Sequence, residues 1–386
     1  MNCLALALSE HLGGLMIVGA ATAFYVASRA ASDAVSEPAS TPAPTRHALA
    51  QCVPIACVCG VAVWLDHAEI AVGVIFSTAV AALSLHLGVT IASNGETRPR
   101  ARRSGRGFDV LVEEHEEVVG ATAPAAAIPV RGSRAWAMVL PAGVLALMAG
   151  FSGKLTLLHG LLFAIQGLLV MMVWDMRHDG NGPPESKPRM TMGQRAQLAL
   201  ATALALVGAV LAVYGAVRMS DETGIMSTGL IASAALGPLL VLPMIGSASV
   251  LASQGQAQTA VGASVVIVLL NLCCLLPLVI AGWHARQHYF PPLPKPAQAV
   301  AAPATTQSVA DDPTADVEPL SEDDIAPVLG FPIAVWRIDT VLLILLGLML
   351  LPVSLNLWEM RRLEGMLLIV IYAGYLVGTT FLGRRW

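Results

Sequence analysis

Two short motifs contain side chains of the kind that bind metal ions. Cys57 and Cys59 form a Cys-x-Cys pair inside an apolar run, and the segment Glu113 to Glu117 reads Glu-Glu-His-Glu-Glu. A structural zinc site needs about four Cys or His ligands, and the cysteine pair has no His or Asp beside it, so packing is favoured over ligation. The acidic segment follows a cluster of arginines, which favours a solvated, self-compensating charged loop. Neither motif predicts a metal site.

Several ionisable residues lie in or beside apolar segments, where each has two interpretations. His86 could relay a proton or gate a pathway, but a helical histidine hydrogen-bonded to a neighbour is favoured. Asp66, His67 and Glu69 cluster at a tight turn, which is either a polar vestibule or, as favoured here, an interfacial turn with an aspartate capping the next helix. Glu364 complements the N-terminal dipole of the last helix.

Composition places these residues in a membrane protein. The chain has 386 residues, of which 56% are hydrophobic and 12% are charged, and a soluble domain of this kind would expose too much apolar surface. Apolar stretches long enough for a hydrocarbon core of roughly 30 Å occur about ten times, without the alternation of barrel strands. We therefore predict an all-α polytopic protein with helices at about 12–32, 48–64, 68–92, 135–151, 155–174, 196–217, 226–250, 258–282, 335–355 and 363–382. The 48–64 segment is short, which favours a tilted or partly re-entrant helix.

The polar connections give an orientation. Arginine-rich segments at about 93–134 and 176–195 are predicted to be cytoplasmic, and the acidic, Pro/Ala-rich segment at about 283–332 lies on the opposite side. Its composition favours partial disorder. With ten spans both termini are then outside, and we expect an integral protein of a bacterial inner (cytoplasmic) membrane.

The sequence contains no motif for catalysis. His-Glu-x-x-His, Gly-x-Ser-x-Gly, paired intramembrane aspartates and a phosphate-binding Gly-x₄-Gly-Lys-Ser/Thr are all absent. We expect a protein that is not an enzyme and has no cofactor. Its expected partner is the lipid bilayer and not nucleic acid, and the sequence does not identify protein partners.

An internal repeat divides the chain into two halves. A shift of 189 positions brings Pro54 onto Pro243 and Ala71-Val72-Gly73 onto Ala260-Val261-Gly262. A second pairing relates "LLHGLLFAIQGLLV" to "RLEGMLLIVIYAGYLV" at a similar shift, enlarged by the acidic loop. The halves are 1–175 and 196–386, joined by the linker 176–195, with five spans each. An odd number of spans inverts the second copy, a transporter architecture whose site lies near the midplane.

These residues resemble the calcium/cation antiporter superfamily, which includes the sodium/calcium exchangers. The alpha repeats of that family carry Gly-Thr-Ser-x-Pro-Glu followed sixteen residues later by Ala-x-Gly, and both prolines and both Ala-Val-Gly segments fit this spacing. The closing segment Arg361 to Val377 is similar to the family's final Arg-x-Glu-Gly-x₆-Tyr-x-x-Tyr helix, with Tyr372 and Tyr375 in place. The resemblance implies a sodium/calcium exchanger-like fold and transmembrane transport by ancestry.

The family's ligands are nearly all replaced. Where the resemblance implies a cation-binding glutamate after each proline, this chain has Ile55 and Met244. Calcium needs about 6–8 oxygen ligands, usually with carboxylates among them, and a thioether is a soft ligand. No Asp or Glu lies within about ten residues of either proline. The residual candidate positions are Gln51, Pro54, Ile55, Ser77, Thr78, Pro243, Met244 and Asn271, of which Asn271 is equally explained as a hydrogen bond between helices.

Two functional hypotheses follow. The first is an exchanger-like integral membrane protein without the family's calcium exchange, which serves a scaffold, regulatory or other transport role. The alternative is an active secondary transporter of altered cation or solute specificity, which uses the residual side chains and backbone carbonyls freed by the prolines. Calcium binding is doubtful in both, and only a weakly bound monovalent cation fits the residual polar groups.

Overall fold

The computed structural model describes most of the apolar sequence and little of the polar connections. The described residues are 12–35, 44–93, 135–151, 153–175, 191–224, 226–254, 256–290, 329–331, 333–355, 358 and 360–383. The predicted arginine-rich loop at 93–134 lies almost wholly outside these residues, and the linker at 176–195 and the acidic segment at 283–332 lie mostly outside them. The acidic motif from Glu113 to Glu117 also lies outside them.

Helices account for nearly all of the described chain. They are α1 (Leu12–Val35), α2 (Pro44–Trp64), α3 (Ala68–Ser93), α4 (Ala135–Gly150), α5 (Leu157–Asp175), α6 (Met192–Thr223), α7 (Thr228–Ser253), α8 (Ala257–Tyr289), α9 (Ile333–Ser354) and α10 (Arg362–Gly383). Two short strands, β1 (Lys154–Leu155) and β2 (Leu329–Gly330), pair antiparallel ahead of α5 and α9. The all-α class is therefore confirmed.

The predicted apolar spans coincide with these helices, with differences at their ends. Within the described residues, eight helices are long and apolar enough to cross a membrane, and the apolar parts of α4 and α5, Met138–Gly150 and Leu157–Met172, are shorter. The number of crossings therefore stays a prediction. The predicted 48–64 span is one continuous helix of 21 residues that includes Pro54, and α8 extends beyond the predicted 282 to Tyr289.

Corresponding features recur in the two halves at the spacing of the sequence repeat. Ala68 begins α3, and Ala257, 189 residues later, begins α8. Each of these helices is interrupted by one π-helical turn, Ala82–His86 in α3 and Asn271–Leu275 in α8, again 189 residues apart. Such π-bulges are rare and are frequent at functional sites. Helix α7 contains a further π-helical turn, Ala232–Leu236, that α2 lacks. The division into two repeats and the inversion of the second copy therefore stay predictions.

Helix α3 lies at the centre of the bundle, with 94% of its apolar segment buried. It contacts α2, α7, α8, α9 and α10, while α1 runs along α6 and α4 packs on α9. A Cβ atom on Gly73 would lie 2.8 Å from the carbonyl oxygen of Gly229, so α3 and α7 cross closely through glycine. Close approach through small residues is the usual basis of helix association in membranes.

The outer faces of the bundle carry large exposed apolar side chains, among them Leu161, Leu168, Leu345 and Val370. Exposed faces of this kind, on helices of spanning length, are solvated by acyl chains in a bilayer. The protein is therefore an integral membrane protein, as the composition predicted.

Candidate functional site

The two repeat prolines lie inside helices whose adjacent side chains are apolar and buried. Pro54 is in α2 and Pro243 is in α7. Ile55 is 0% exposed and Met244 is 1% exposed, and both belong to the main hydrophobic core. The positions where the sequence resemblance implies glutamates are therefore packed core positions.

A chain of polar side chains nevertheless links these two helices. The side-chain amide nitrogen of Gln51 donates to the hydroxyl of Ser247 on α7, and it lies 2.7 Å from Nε2 of His47 on its own helix. The Ser247 hydroxyl donates in turn to the carbonyl oxygen of Met244, at 2.8 Å. The Gln51 amide oxygen is buried and has no hydrogen-bond partner among the described residues. Sequence analysis proposed Gln51 but missed His47 and Ser247, whose spacing from the prolines matches no family motif.

A second polar contact joins the central helix to α8. The amide nitrogen of Asn271 donates to the hydroxyl of Thr78 at 2.8 Å, and the Thr78 hydroxyl donates to the Val74 carbonyl at 2.6 Å. Asn271 begins the π-helical turn of α8. Its amide oxygen is buried without a hydrogen-bond partner in the described structure. Ser77, the residue before Thr78, is also buried, but its hydroxyl donates to the carbonyl oxygen of Val74 within α3, at 3.3 Å.

The third polar contact is made by His86, at the end of the π-helical turn of α3. Its Nδ1 lies 2.6 Å from the hydroxyl of Ser264 on α8, and both side chains are fully buried. The favoured interpretation, a histidine hydrogen-bonded to a neighbour, is thus confirmed. The other ring nitrogen, Nε2, makes no hydrogen bond to a described residue.

The turn between α2 and α3 corrects one prediction. Asp66 does not cap α3, because the capping position is His67 and that residue makes no side-chain cap. Asp66 instead has a positive φ of 68° and pairs with the guanidinium of Arg286 near the end of α8. It also accepts a hydrogen bond from Gln287 at 2.8 Å. These two donors from α8 satisfy the carboxylate more fully than a single helix amide would.

Glu69, in the first turn of α3, is held by two neighbours. Its Oε1 lies 3.2 Å from Nδ1 of His67 and accepts a hydrogen bond from the Thr228 hydroxyl of α7 at 2.9 Å. The hydrogen bond to Glu69 raises the pKa of His67, against a smaller opposing effect of burial. The carboxylate is thereby fixed between the exposed turn and the bundle interior.

Sequence analysis missed one buried carboxylate altogether. Asp339 of α9 is 1% exposed, and its Oδ1 has no hydrogen-bond partner among the described residues. It borders a cavity of about 10 Å³ that Glu69 and Ser233 also line. Asp339 is the one acidic residue of the predicted 335–355 span. A search of every apolar span for acidic residues would have found it, whereas the search around the prolines did not.

Comparisons with known proteins establish the fold and nothing narrower. No protein-family model and no curated protein matches the chain. Among solved structures, the H+/Ca2+ exchanger CAX is similar with a TM-score of 0.60 and 11% identity, over 98% of this chain and 85% of that one. The sodium-calcium exchanger NCX_Mj is similar with a TM-score of 0.48 and 12% identity, over 98% and 99%. The similarity to CAX shows that the chain has a calcium/cation exchanger-like fold, as the sequence resemblance implied.

Proposed function

We propose that this protein is a membrane transporter that moves a monovalent cation, and not calcium, through a site between α2, α3, α7 and α8. The proposal is supported most directly by two buried amide oxygens, of Gln51 and Asn271, that have no hydrogen-bond partner in the described structure. Each lies on a polar contact between helices of the two halves. The exchanger fold supplies the architecture, and the site must supply the function.

The absence of a carboxylate from this site argues against calcium. A dehydrated divalent cation needs about 6–8 oxygen ligands, commonly with several carboxylates. Ile55 and Met244, at the positions of the family's glutamates, are fully buried and supply no hard ligand. Removing a divalent cation from water costs free energy, and this site has no negative charge to compensate for that cost.

A monovalent cation requires less compensating charge and no carboxylate from the same groups. The unpartnered oxygens of Gln51 and Asn271 are hard donors, and the hydroxyls of Ser247 and Thr78 keep lone pairs beside them. Buried polar atoms are nearly always hydrogen-bonded in folded proteins. Two exceptions, one on the α2–α7 contact and one on the α3–α8 contact, support the proposal that these oxygens bind an ion during a transport cycle.

Ion flux into proteoliposomes tests this proposal. We expect the native protein to take up radioactive sodium or rubidium under an imposed gradient, and not calcium. Gln51→Leu and Asn271→Leu should each reduce the flux by about tenfold or more, because each removes one ligand worth roughly 1.4 kcal/mol or more. The matched control is Gln166→Leu, which removes a glutamine on α5 whose amide nitrogen only weakly contacts the Met138 carbonyl, at 3.5 Å.

The outcomes separate the two hypotheses drawn from the sequence. Calcium uptake by the native protein, abolished by Gln51→Leu or Asn271→Leu, would overturn the monovalent assignment. A folded native protein that moves none of these ions would favour the scaffold or regulatory role.

We also propose the orientation derived from the loop charges, with both termini outside a bacterial inner membrane and the 93–134 segment cytoplasmic. The argument is the excess of arginine in that segment. Single cysteines introduced there into a cysteine-free background should react with an impermeant thiol reagent only from the cytoplasmic side. Labelling from the outside would reverse the assignment.

A further inference from the structure

A small cavity between α3, α7 and α9 contains the carboxylates of two distant segments. Glu69 contributes from the start of α3 and Asp339 from α9, with Ser233 of α7 beside them. The Ser233 hydroxyl donates to the carbonyl oxygen of Gly73 at 3.4 Å, which leaves its lone pairs unused. This cavity is separate from the polar contacts around the prolines.

Asp339 is buried without the cationic partner that normally accompanies a buried charge. Its side chain takes part in no ion pair of the described residues, and Oδ1 accepts no hydrogen bond there. Only Oδ1 is unpartnered among the described residues, and the Tyr375 hydroxyl of α10 is the neighbouring group placed to donate a hydrogen bond to the carboxylate. An ionised carboxylate inside a membrane bundle is unfavourable unless it is paired, and acidic residues there mark ion or proton pathways.

Glu69 connects this buried group to the outside. Its side chain is 28% exposed, next to the equally accessible His67 at the turn. The same carboxylate lines the cavity that Asp339 borders. Glu69 is therefore placed to receive a proton at the exposed turn and to pass it inward.

The volume of the cavity and the residues that line it favour a proton over a metal cation. A volume of about 10 Å³ accommodates roughly one water molecule. The remaining walls are mainly apolar, formed by residues that include Phe76, Trp336 and Phe331. A metal cation would lack ligands on these sides, whereas a proton needs a single oxygen and one bridging water.

We propose that Asp339 is the proton-binding residue of this transporter and that Glu69 exchanges its proton with the solution through one water in the cavity. This inference rests on the proposed transport function, for which it supplies a coupling ion. Phe76 lines the cavity one residue before Ser77 on α3. Protonation of Asp339 thus acts on the helix that carries the proposed cation site.

Few other titratable groups face Asp339. The described elements packed on α9 carry Tyr372 and Tyr375 of α10, whose hydroxyls are buried, Arg362 and Glu364 at the start of α10, and Glu69 and the buried His86 of α3. The described part of α4, which also packs on α9, has no titratable residue. Arg337, two residues before Asp339, is exposed and lies over the Phe151 ring, 5.8 Å from its centroid. A pH response is assigned to the two carboxylates by its loss in Asp339→Asn and its slowing in Glu69→Gln, since His86 and both tyrosines remain in these variants.

Infrared difference spectroscopy tests the proton site without requiring transport. We expect the native protein, titrated across about pH 5 to 9, to show the carbonyl stretch of a buried carboxylic acid that is lost as the pH rises. Asp339→Asn should abolish this band. Glu69→Gln should keep the band but slow its exchange after a pH jump, by about tenfold or more. Glu222→Gln, whose carboxylate pairs with Arg218 on the same helix α6, is the matched control and should change neither.

Flux measurements in proteoliposomes then test the coupling. A pH gradient should drive monovalent cation uptake by the native protein and by Glu222→Gln, and Asp339→Asn should lose this response. A native protein without a pH-dependent carboxylic acid band, or a band that survives in Asp339→Asn, would overturn the proton site. An intact band in a protein that moves no ion would instead refute the proposed function and leave the proton site standing.

Discussion

Placing glutamates at the two proline positions should create a calcium-dependent stability that the native protein lacks. Ile55 and Met244 are 0% and 1% exposed. Replacing one such apolar side chain loses about 1.5–3 kcal/mol of burial, and a carboxylate in mid-membrane costs about 2.5–3.5 kcal/mol more. Each single substitution, Ile55→Glu or Met244→Glu, should therefore destabilise the protein by about 4–6.5 kcal/mol, and less where the new carboxyl group binds a proton.

Calcium should recover part of this loss in the double variant only. A ligand at about one hundred times its dissociation constant stabilises the native state by about 2.7 kcal/mol. Thermal unfolding followed by tryptophan fluorescence, with a chelator and with added calcium, measures this difference. The matched control, Ile55→Gln with Met244→Gln, introduces polar groups of the same size without charge and should show no response to calcium.

The native protein provides the decisive comparison. If calcium raises its unfolding temperature as much as that of the double glutamate variant, the reasoning from the missing carboxylates is refuted. The ligands would then be sought among the amide oxygens of Gln51 and Asn271.

Two further predictions concern the crossing of α3 with its neighbours. Gly73→Ala should lower the free energy of unfolding by about 1–3 kcal/mol, because its Cβ would lie 2.8 Å from the Gly229 carbonyl oxygen. The control is Gly60→Ala, whose Cβ meets no atom within 4 Å. Denaturation of this variant should show no loss of free energy of unfolding. The hydrogen bond to Glu69 raises the pKa of His67, so its stabilisation is complete below about pH 6.5 and disappears as the pH rises through the raised pKa. Unfolding temperatures measured below and above this pH range should show that His67→Gln removes the pH dependence of stability. If the variant keeps the same pH dependence, the assignment of this effect to the His67–Glu69 hydrogen bond is contradicted.

Periodicity and composition were sufficient for most of the helical plan. The apolar spans coincide with helices within a few residues at most ends, because the bilayer requires long apolar segments whose backbone polar groups bond internally. The repeat spacing of the prolines recurs in the starts of α3 and α8 and in their π-helical turns. The ends in polar sequence were less well predicted, as for α8, which continues past 282 because its last turns pack polar side chains against the turn at Asp66.

The sequence by itself determined that the chain is a helical membrane protein and that no carboxylate follows either proline, and it predicted two related halves. Only the tertiary structure showed that Gln51 contacts Ser247 and that Asn271 contacts Thr78, because these partners are 193 or more residues apart. Tertiary structure likewise places Glu69 and Asp339 beside the same cavity. Local sequence patterns report which face of a helix is apolar, whereas the meeting of two polar atoms depends on how separate helices cross.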